Sequence, residues 1–546
     1  MAALATGCSS SDDDGGADEA SDALETPRQG GHLVLPSIEP HYMNPILETR
    51  FERASMFVFE GLVGLDNELE AVPRLAESWN VSEDGKRIEF SLRDDVRWHD
   101  GEPLSSEDVA FTFEALRGTE APTVWQTYMA DVDAVETPDD HTVVVTYDEP
   151  YAPALKTWTM GILPAHIYDD ADDIKDSEAN YEPVGTGPYR LARWERGERI
   201  VLSANQDWWY QEDDAARVEG AGRRGEEPRG FPYVDSIEIR FGIQNQLGAL
   251  EENRIDFADV AHVSAWSQTQ LGDFREHFEA SSVIESEFWG IAWNSQRGPL
   301  DDPEVRIALS HALDRGRIIN DVLLGQAQPL SAPFFPTMFG DDPSIAPYPF
   351  DLDEAAERLD AAGYHEEDGE RLSIDLIIAR SPHRRPAEEV LAIYRSDLAE
   401  IGVNLEIHTL DPSEFENRRV LFEYDALYFG WVPDIPDPDP SILLHSSQIE
   451  GGLNLAAFAH GEVDDLLESA RSSADRADRA ELYRELHRLV HELEPYTMLY
   501  APYGHYAWNR RVRGVNPSDI GPQPPFPGAA RWFVVPTSEA ATASQL

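Results

Sequence analysis

Once the carboxylates are set aside, few side chains could carry out chemistry, and they are scattered. The chain has one cysteine, Cys8, so no internal disulfide is possible. Cys8 also lies in a polar tail, far from any folded region that could build a thiol active site. There is no Gly-x-Ser-x-Gly elbow and no phosphate loop ending in Gly-Lys. His487 and His491 stand four apart on a helical segment and offer two ligand atoms on one face. The residues after them, Glu492-Leu493-Glu494-Pro495, put proline where a zincin needs its second histidine, so both read as residues of an amphipathic helix. His383, His408 and His445 are dispersed. Gly185-Thr186-Gly187-Pro188-Tyr189 lacks the continuing glycine pattern of a nucleotide loop, and Pro188 removes a donor, so it reads as a tight turn. With 103 acidic residues, paired carboxylates could be found anywhere and carry no information.

Those acids are informative as a group. Against 43 basic residues they give a formal charge of −60 over 546 residues. Such a charge excludes a phosphate-binding nucleic-acid face and docking on anionic lipid. Lys86, Lys156 and Lys175 are the only lysines; every other basic residue is arginine. An acidic, lysine-poor chain resembles the proteins of extreme halophiles. At about 1 M salt the Debye length is only about 3 Å, so surface carboxylates stop repelling one another. A local acidic interaction surface is the alternative, but the acids run along the whole chain. With 41% hydrophobic and 10% aromatic residues the chain can bury a sizeable core, and its length suits three to four domain-sized units. No apolar run is long enough to span a membrane.

Residues 1–29 read as a tether. Leu4-Ala5-Thr6-Gly7 precedes Cys8, and Ser9-Ser10-Ser11-Asp12-Asp13-Asp14-Gly15-Gly16 follows it. Small residues before a lone cysteine and a polar linker after it predict lipidation of Cys8. Ala5 stands where a larger aliphatic residue is usual, and the basic and apolar parts of a leader are missing, which predicts a true start upstream. From Gly30 the pattern is that of folded protein. Residues 87–93 alternate apolar and polar as a half-buried strand does. Ser105 opens a helix carrying Val109, Phe113 and Leu116. Beyond residue 300, helices near 302–313, 353–362 and 386–400 alternate with strands at 372–379 and 403–410, which argues for an α/β lobe with a largely parallel sheet. A long helix over 476–493 carries Leu482, Leu486, Leu489 and Leu493.

Several stretches, in order, carry a family resemblance. They are Val72-Pro73-Arg74-Leu75-Ala76-Glu77-Ser78-Trp79, then Val96-Arg97-Trp98-His99-Asp100-Gly101-Glu102-Pro103-Leu104, then Val184-Gly185-Thr186-Gly187-Pro188-Tyr189. Tyr233-Val234-Asp235-Ser236-Ile237, Ala292-Trp293-Asn294, Arg306-Ile307-Ala308-Leu309-Ser310-His311-Ala312-Leu313-Asp314-Arg315 and Gly430-Trp431-Val432-Pro433-Asp434 complete the set. The chain resembles the family 5 extracellular solute-binding proteins, the dipeptide, oligopeptide and nickel receptors of ABC importers, from about Gly30 to Pro517. The resemblance implies an α/β, two-lobed, periplasmic-binding-protein-like (class II) fold with an extra subdomain on lobe I. Lobe I would comprise 30–60, 181–290 and 500–546, the extra subdomain 61–180, and lobe II 291–499. The segments crossing between lobes are expected near Ala292-Trp293-Asn294 and Tyr500-Ala501-Pro502.

It also implies a function: a monomeric, lipid-anchored receptor on the outer face of the membrane, without a cofactor, that delivers a peptide-like solute to an ABC permease. A receptor for chelated nickel or an oligosaccharide is the alternative within the family, and an extracellular hydrolase the alternative outside it. In peptide-binding members an Asp shortly after a Gly-Trp pair accepts the ligand's α-ammonium group; here that residue is Asp434, with Asp437 and Asp439 close by. Pro433, Pro436, Pro438 and Pro440 would stiffen the loop. A capping or turn role is the other reading of Asp434. Trp431 would either wall the pocket or pack in the core. Trp293 and Asn294 would either face the ligand or pack at the hinge. Asn44 would either line the cleft or make a turn, and Trp98 and His99 read as structural.

Overall fold

The computed structural model describes residues 27–47, 54–121, 123–168, 173–210, 231–260, 263–285, 287–335, 338–380, 386–432, 437–473, 475–520 and 526–535. Cys8 and Asp434 lie outside them, as do His383, Pro433 and Pro436.

Lobe I starts with the strand His32–Ser37, in which Leu33 and Leu35 face inward with the period of two expected of a half-buried strand. It pairs in parallel with Ser236–Phe241, and the sheet continues antiparallel through Arg199–Ala204 to Tyr189–Glu195. The extra subdomain is a four-stranded antiparallel sheet in the order Ala76–Val81, Arg87–Leu92, Thr142–Tyr147, Val132–Asp139, with the helix Ser106–Gly118 packed against it. That helix starts at Ser105 as its sequence predicts, in a capping box with Asp108. The Asp108 carboxylate accepts from the Ser105 N–H at 2.9 Å, the Ala165 N–H at 2.9 Å and Trp98 Nε1 at 3.3 Å. Burial pushes its pKa up all the same.

One apolar core, holding Leu35, Phe90, Trp98, Trp158 and Ile237, runs through both this sheet and the subdomain. The turn at Gly185 joins them tightly: a Cβ there would sit 1.9 Å from the Val58 carbonyl oxygen, so only glycine fits. His99 fastens the same turn. Its Nδ1 accepts the Gly185 N–H at 3.3 Å and its Nε2 bonds the Gly187 carbonyl at 3.0 Å. Burial lowers its pKa to about 4, so it works as a neutral strut.

Lobe II is built on the strands Phe288–Trp293, Ala426–Trp431, Leu372–Ala379 and Val403–Leu410. The last three are mutually parallel and the first antiparallel to them. Separate apolar cores, one around Ile291, Leu309, Leu376 and Tyr394 and the other around Phe288, Phe429, Leu467 and Met498, flank this sheet. The helix Pro303–His311 has Asp302 as N-cap, accepting the Glu304 N–H at 2.9 Å, and Pro303 in its first turn. Leu352–Ala361 and Ala387–Glu400 are followed by Gly363 and Gly402, both at positive φ, as helix-ending glycines should be. Arg476–Leu493 forms the long helix.

The two halves share one strand. Tyr496–Asn509 pairs with Phe288–Trp293 through residues 496–500, and with Phe278–Ile284 through residues 503–509. The switch falls at Tyr500–Tyr503. The other crossing is the short link between Ile284 and Phe288, where the Glu285 N–H donates to the Pro502 carbonyl at 3.1 Å. It therefore lies ahead of the strand Phe288–Trp293, and the expected position at Ala292–Asn294 is at the strand's far end.

Candidate ligand-binding site

In lobe II the parallel strands end toward the crossing, and ligands of open α/β sheets bind outside the carboxyl ends of such strands. Trp431 occupies that end of Ala426–Trp431, in register with Phe288. The preceding Gly430 has a structural cause: a Cβ there would meet the Trp289 ring at 2.8 Å. Trp289 lies across the strand and stacks on Tyr428, with ring centroids 5.6 Å apart. The Gly-Trp pair is thus a gap filled by a neighbouring indole, followed by an indole at the strand's end.

Trp431 is half-buried and lines a pocket with Phe288, Phe335, Met338, Leu443 and Asp437. The wall is aromatic and aliphatic, and the polar groups come from the proline-punctuated stretch Asp437–Pro440. Asp437 is 2% exposed at its side chain and accepts from Arg479 Nη2 at 2.5 Å. Arg479 also reaches the Tyr483 hydroxyl at 3.2 Å. The second Asp437 oxygen lies 3.9 Å from Lys156 Nζ, which belongs to the extra subdomain. Asp439 accepts the Ser441 N–H at 2.9 Å, where the next short helix begins, and lies 3.3 Å from Arg471 Nε. Burial raises the Asp439 pKa, while Arg471 opposes that rise. The pocket therefore has an apolar floor and a rim of carboxylates held in place by arginines.

The other expected residues do not converge here. Trp293 stands five residues along its strand from Phe288, about 17 Å at the strand rise. It is fully buried in a lobe II core and donates Nε1 to Thr497 Oγ1 at 2.9 Å. Asn294 spends its amide on the Tyr424 and Phe422 carbonyls, at 2.9 and 3.2 Å, and accepts the Gln296 N–H at 3.2 Å. Asn44 is buried too, donating to Asn180 Oδ1 at 2.8 Å and accepting the Ile46 N–H at 3.0 Å. In each case the hydrogen-bonding capacity is committed to backbone or core partners; among the described residues Trp431 reaches the pocket, as do Asp437 and Asp439, the alternatives to Asp434. Sequence reasoning passed over Lys156 and Arg479. The signal for Lys156 was its rarity, since it is one of three lysines.

His487 is not free for a metal either. Its Nδ1 accepts the Asp342 N–H at 3.1 Å and its Nε2 bonds Ser331 Oγ at 2.9 Å; burial lowers its pKa to about 4. His491 bonds the Ser331 carbonyl at 3.3 Å. Asp375, Glu406 and His408 bring ligand-type atoms within 4.8 Å of one another, but on the open strands of lobe II and not in the pocket. Among the described residues no helix is long and apolar enough to cross a membrane.

Comparison with known proteins agrees with this architecture. Residues 70–451 match the model of the bacterial extracellular solute-binding proteins, family 5, middle region. The di/tripeptide-binding protein 2 of Pseudomonas aeruginosa is 27% identical over 481 residues, covering 82% of this chain and 84% of its own. Among solved structures, the oligopeptide-binding protein AppA of Bacillus subtilis, in complex with a nonapeptide, superposes with a TM-score of 0.72. It is 24% identical and covers 94% of this chain and 100% of its own. NikZ of Campylobacter jejuni, in complex with Ni(L-His), gives a TM-score of 0.70 at 24% identity, over 89% of this chain and 95% of its own. The chain belongs to family 5 of the bacterial extracellular solute-binding proteins.

Proposed function

We propose that this receptor captures a peptide-like solute with a free α-amino group between its lobes and hands it to the permease of an ABC importer. Membership of the family makes the chain a solute-binding receptor of an ABC transporter, acting outside the cytoplasm, and not an enzyme. The observation that carries the peptide reading is the pocket at the carboxyl end of the strand Ala426–Trp431. An aromatic wall there meets a proline-stiffened, carboxylate-bearing stretch, and that combination suits a ligand with an apolar side chain and an ammonium group. Asp434 follows Trp431 by three residues, and we assign it the ammonium contact. An enclosed carboxylate gives a charge-assisted hydrogen bond that strengthens as water leaves. The names of the peptide-binding relatives support the same reading.

Titration with a dipeptide and with its N-acetylated form tests this assignment. Asp434→Ala should weaken the free-amine peptide by roughly 2–5 kcal/mol and the acetylated one far less. Equal losses would make Asp434 a loop-shaping residue instead. Native mass spectrometry of protein purified without chelator would identify a nickel chelate, if that is the cargo, by its retained metal. We also propose that Cys8 carries a lipid anchor, which intact-mass analysis of membrane-extracted protein would show as an acyl addition. The acid coat, in the same proposal, suits strong brine. A melting temperature unchanged between dilute buffer and multimolar KCl would refute that.

A further inference from the structure

Lobe II and the extra subdomain meet along a seam whose charge differs from that of the rest of the molecule. Glu70, Asp131, Asp437 and Asp439 face Lys156, Arg471, Arg476 and Arg479, four acids against four bases, in a chain of net charge −60. Three ion pairs cross the seam: Lys156 to Asp437 at 3.9 Å, Arg471 to Asp131 at 3.0 Å and Arg476 to Glu70 at 3.4 Å. A backbone bond crosses too, from the Ala152 N–H to the Arg471 carbonyl at 2.7 Å, and the Arg471 guanidinium lies over the Tyr151 ring at 5.0 Å.

The principal members of the seam also have a partner on their own side. Lys156 has Glu70 at 3.9 Å within the subdomain. Within lobe II, Asp437 has Arg479 and Arg471 has Asp439. Asp131 is more than half exposed and needs no partner when it faces water. Breaking a buried pair is costly when it strands a charge. Here the halves can part without stranding one, because each deep charge keeps a counter-ion. A seam designed only for rigidity would not need these second partners.

We propose that this seam is a reversible latch. It holds the extra subdomain against lobe II before ligand arrives, and it meets the pocket through Asp437, which belongs to both. The link to ligand rests on the receptor reading above; the latch itself does not, and the test keeps them apart. The readout is the distance between spin labels or fluorophores in ligand-free, full-length Cys8→Ser protein carrying Glu107→Cys in the subdomain and Glu462→Cys in lobe II. Both label positions are exposed.

The parent should show a predominant short-distance population without peptide. Asp131→Arg and Arg476→Glu, at separate points of the seam, should each lower the closed-to-open ratio by about threefold to tenfold, and Lys156→Met should do likewise. Asp133→Arg makes the same charge change two residues away on an exposed position and should leave the distribution unmoved. An unchanged distribution in Asp131→Arg and Arg476→Glu, or an equal shift in Asp133→Arg, would overturn the latch. Unaltered unfolding curves would show that Asp131→Arg and Arg476→Glu remain folded. Failure of dipeptides to bind would sink the receptor assignment and leave the ligand-free distances standing.

Discussion

Two carboxylates of lobe II, Asp437 and Asp375, illustrate two uses of the same group. Asp437 is buried, holds Arg479 at 2.5 Å and faces Lys156 across the seam. Asp375 is exposed, stands directly opposite Glu406 in the parallel pair, and has the His408 ring 3.3 Å from its carboxylate. Like charges directly opposite across strands are destabilising. The chain leaves that cost unanswered on its surface, whereas at the seam the buried neighbours Asp437 and Asp439 are each matched by an arginine. Net charge therefore says little about where a carboxylate matters; burial and partner count decide.

Breaking the Asp437 side of this contrast should give the largest effect. Arg479→Met leaves a buried carboxylate with the Asp439 N–H at 3.2 Å and Lys156 at 3.9 Å, and unfolding in denaturant should show a loss of about 3–5 kcal/mol. An effect comparable to a surface substitution would mean that Lys156 and the Asp439 N–H suffice.

Acid should produce the next effect. His487 titrates at about 4 in the folded chain, against about 6.5 unfolded. The unfolded chain takes up its proton first, so stability contributed by neutral His487 is complete above about pH 6.5 and is lost as pH falls toward 4. The total is about 3 kcal/mol. Stability measured from pH 7 to 4 should fall less steeply in His487→Gln than in the parent.

Gly430→Ala sharpens the comparison at the pocket's edge. Its methyl would press on the Trp289 ring and should cost about 1–3 kcal/mol, read from thermal unfolding, with a displaced Trp431 weakening peptide binding as well. The smallest effect belongs to the coat. Asp375→Asn removes one of two facing negative charges and should change stability by no more than about 0.5 kcal/mol, in the stabilising direction and only in dilute buffer. A loss of several kcal/mol would show that Asp375 is structural and end the contrast with Asp437.

Much of the scaffold was legible because its signals are local. Asp302-Pro303 marks a helix start, Gly363 and Gly402 mark ends, and the leucines of 476–493 mark an amphipathic face. The site was legible only in part. Trp431 lines the candidate pocket, whereas Trp293 and Asn294 stand at the opposite end of an adjacent antiparallel strand. Nothing in a strand's own sequence says which end faces the cleft; the pairing partner decides. The seam was illegible for a different reason. Lys156 and Asp437, or Asp131 and Arg471, are some three hundred residues apart in sequence, and no periodicity links them.

The strand Tyr496–Asn509 has a mechanical consequence. Because one continuous strand pairs with both halves, relative movement becomes added torsion where its partners change, between Tyr500–Pro502, which pair with Ala327–Pro329, and Tyr503, where pairing with Phe278–Ile284 takes over. Strands already twist by about 20–25° relative to their neighbours, so a modest change in that angle lies within the range that paired strands adopt. Pro502 sits within this stretch, where its ring holds φ nearly fixed and leaves the torsion to its neighbours. The ribbon thus sets the axis of the jaws, and the charges at their far side set how long they stay shut.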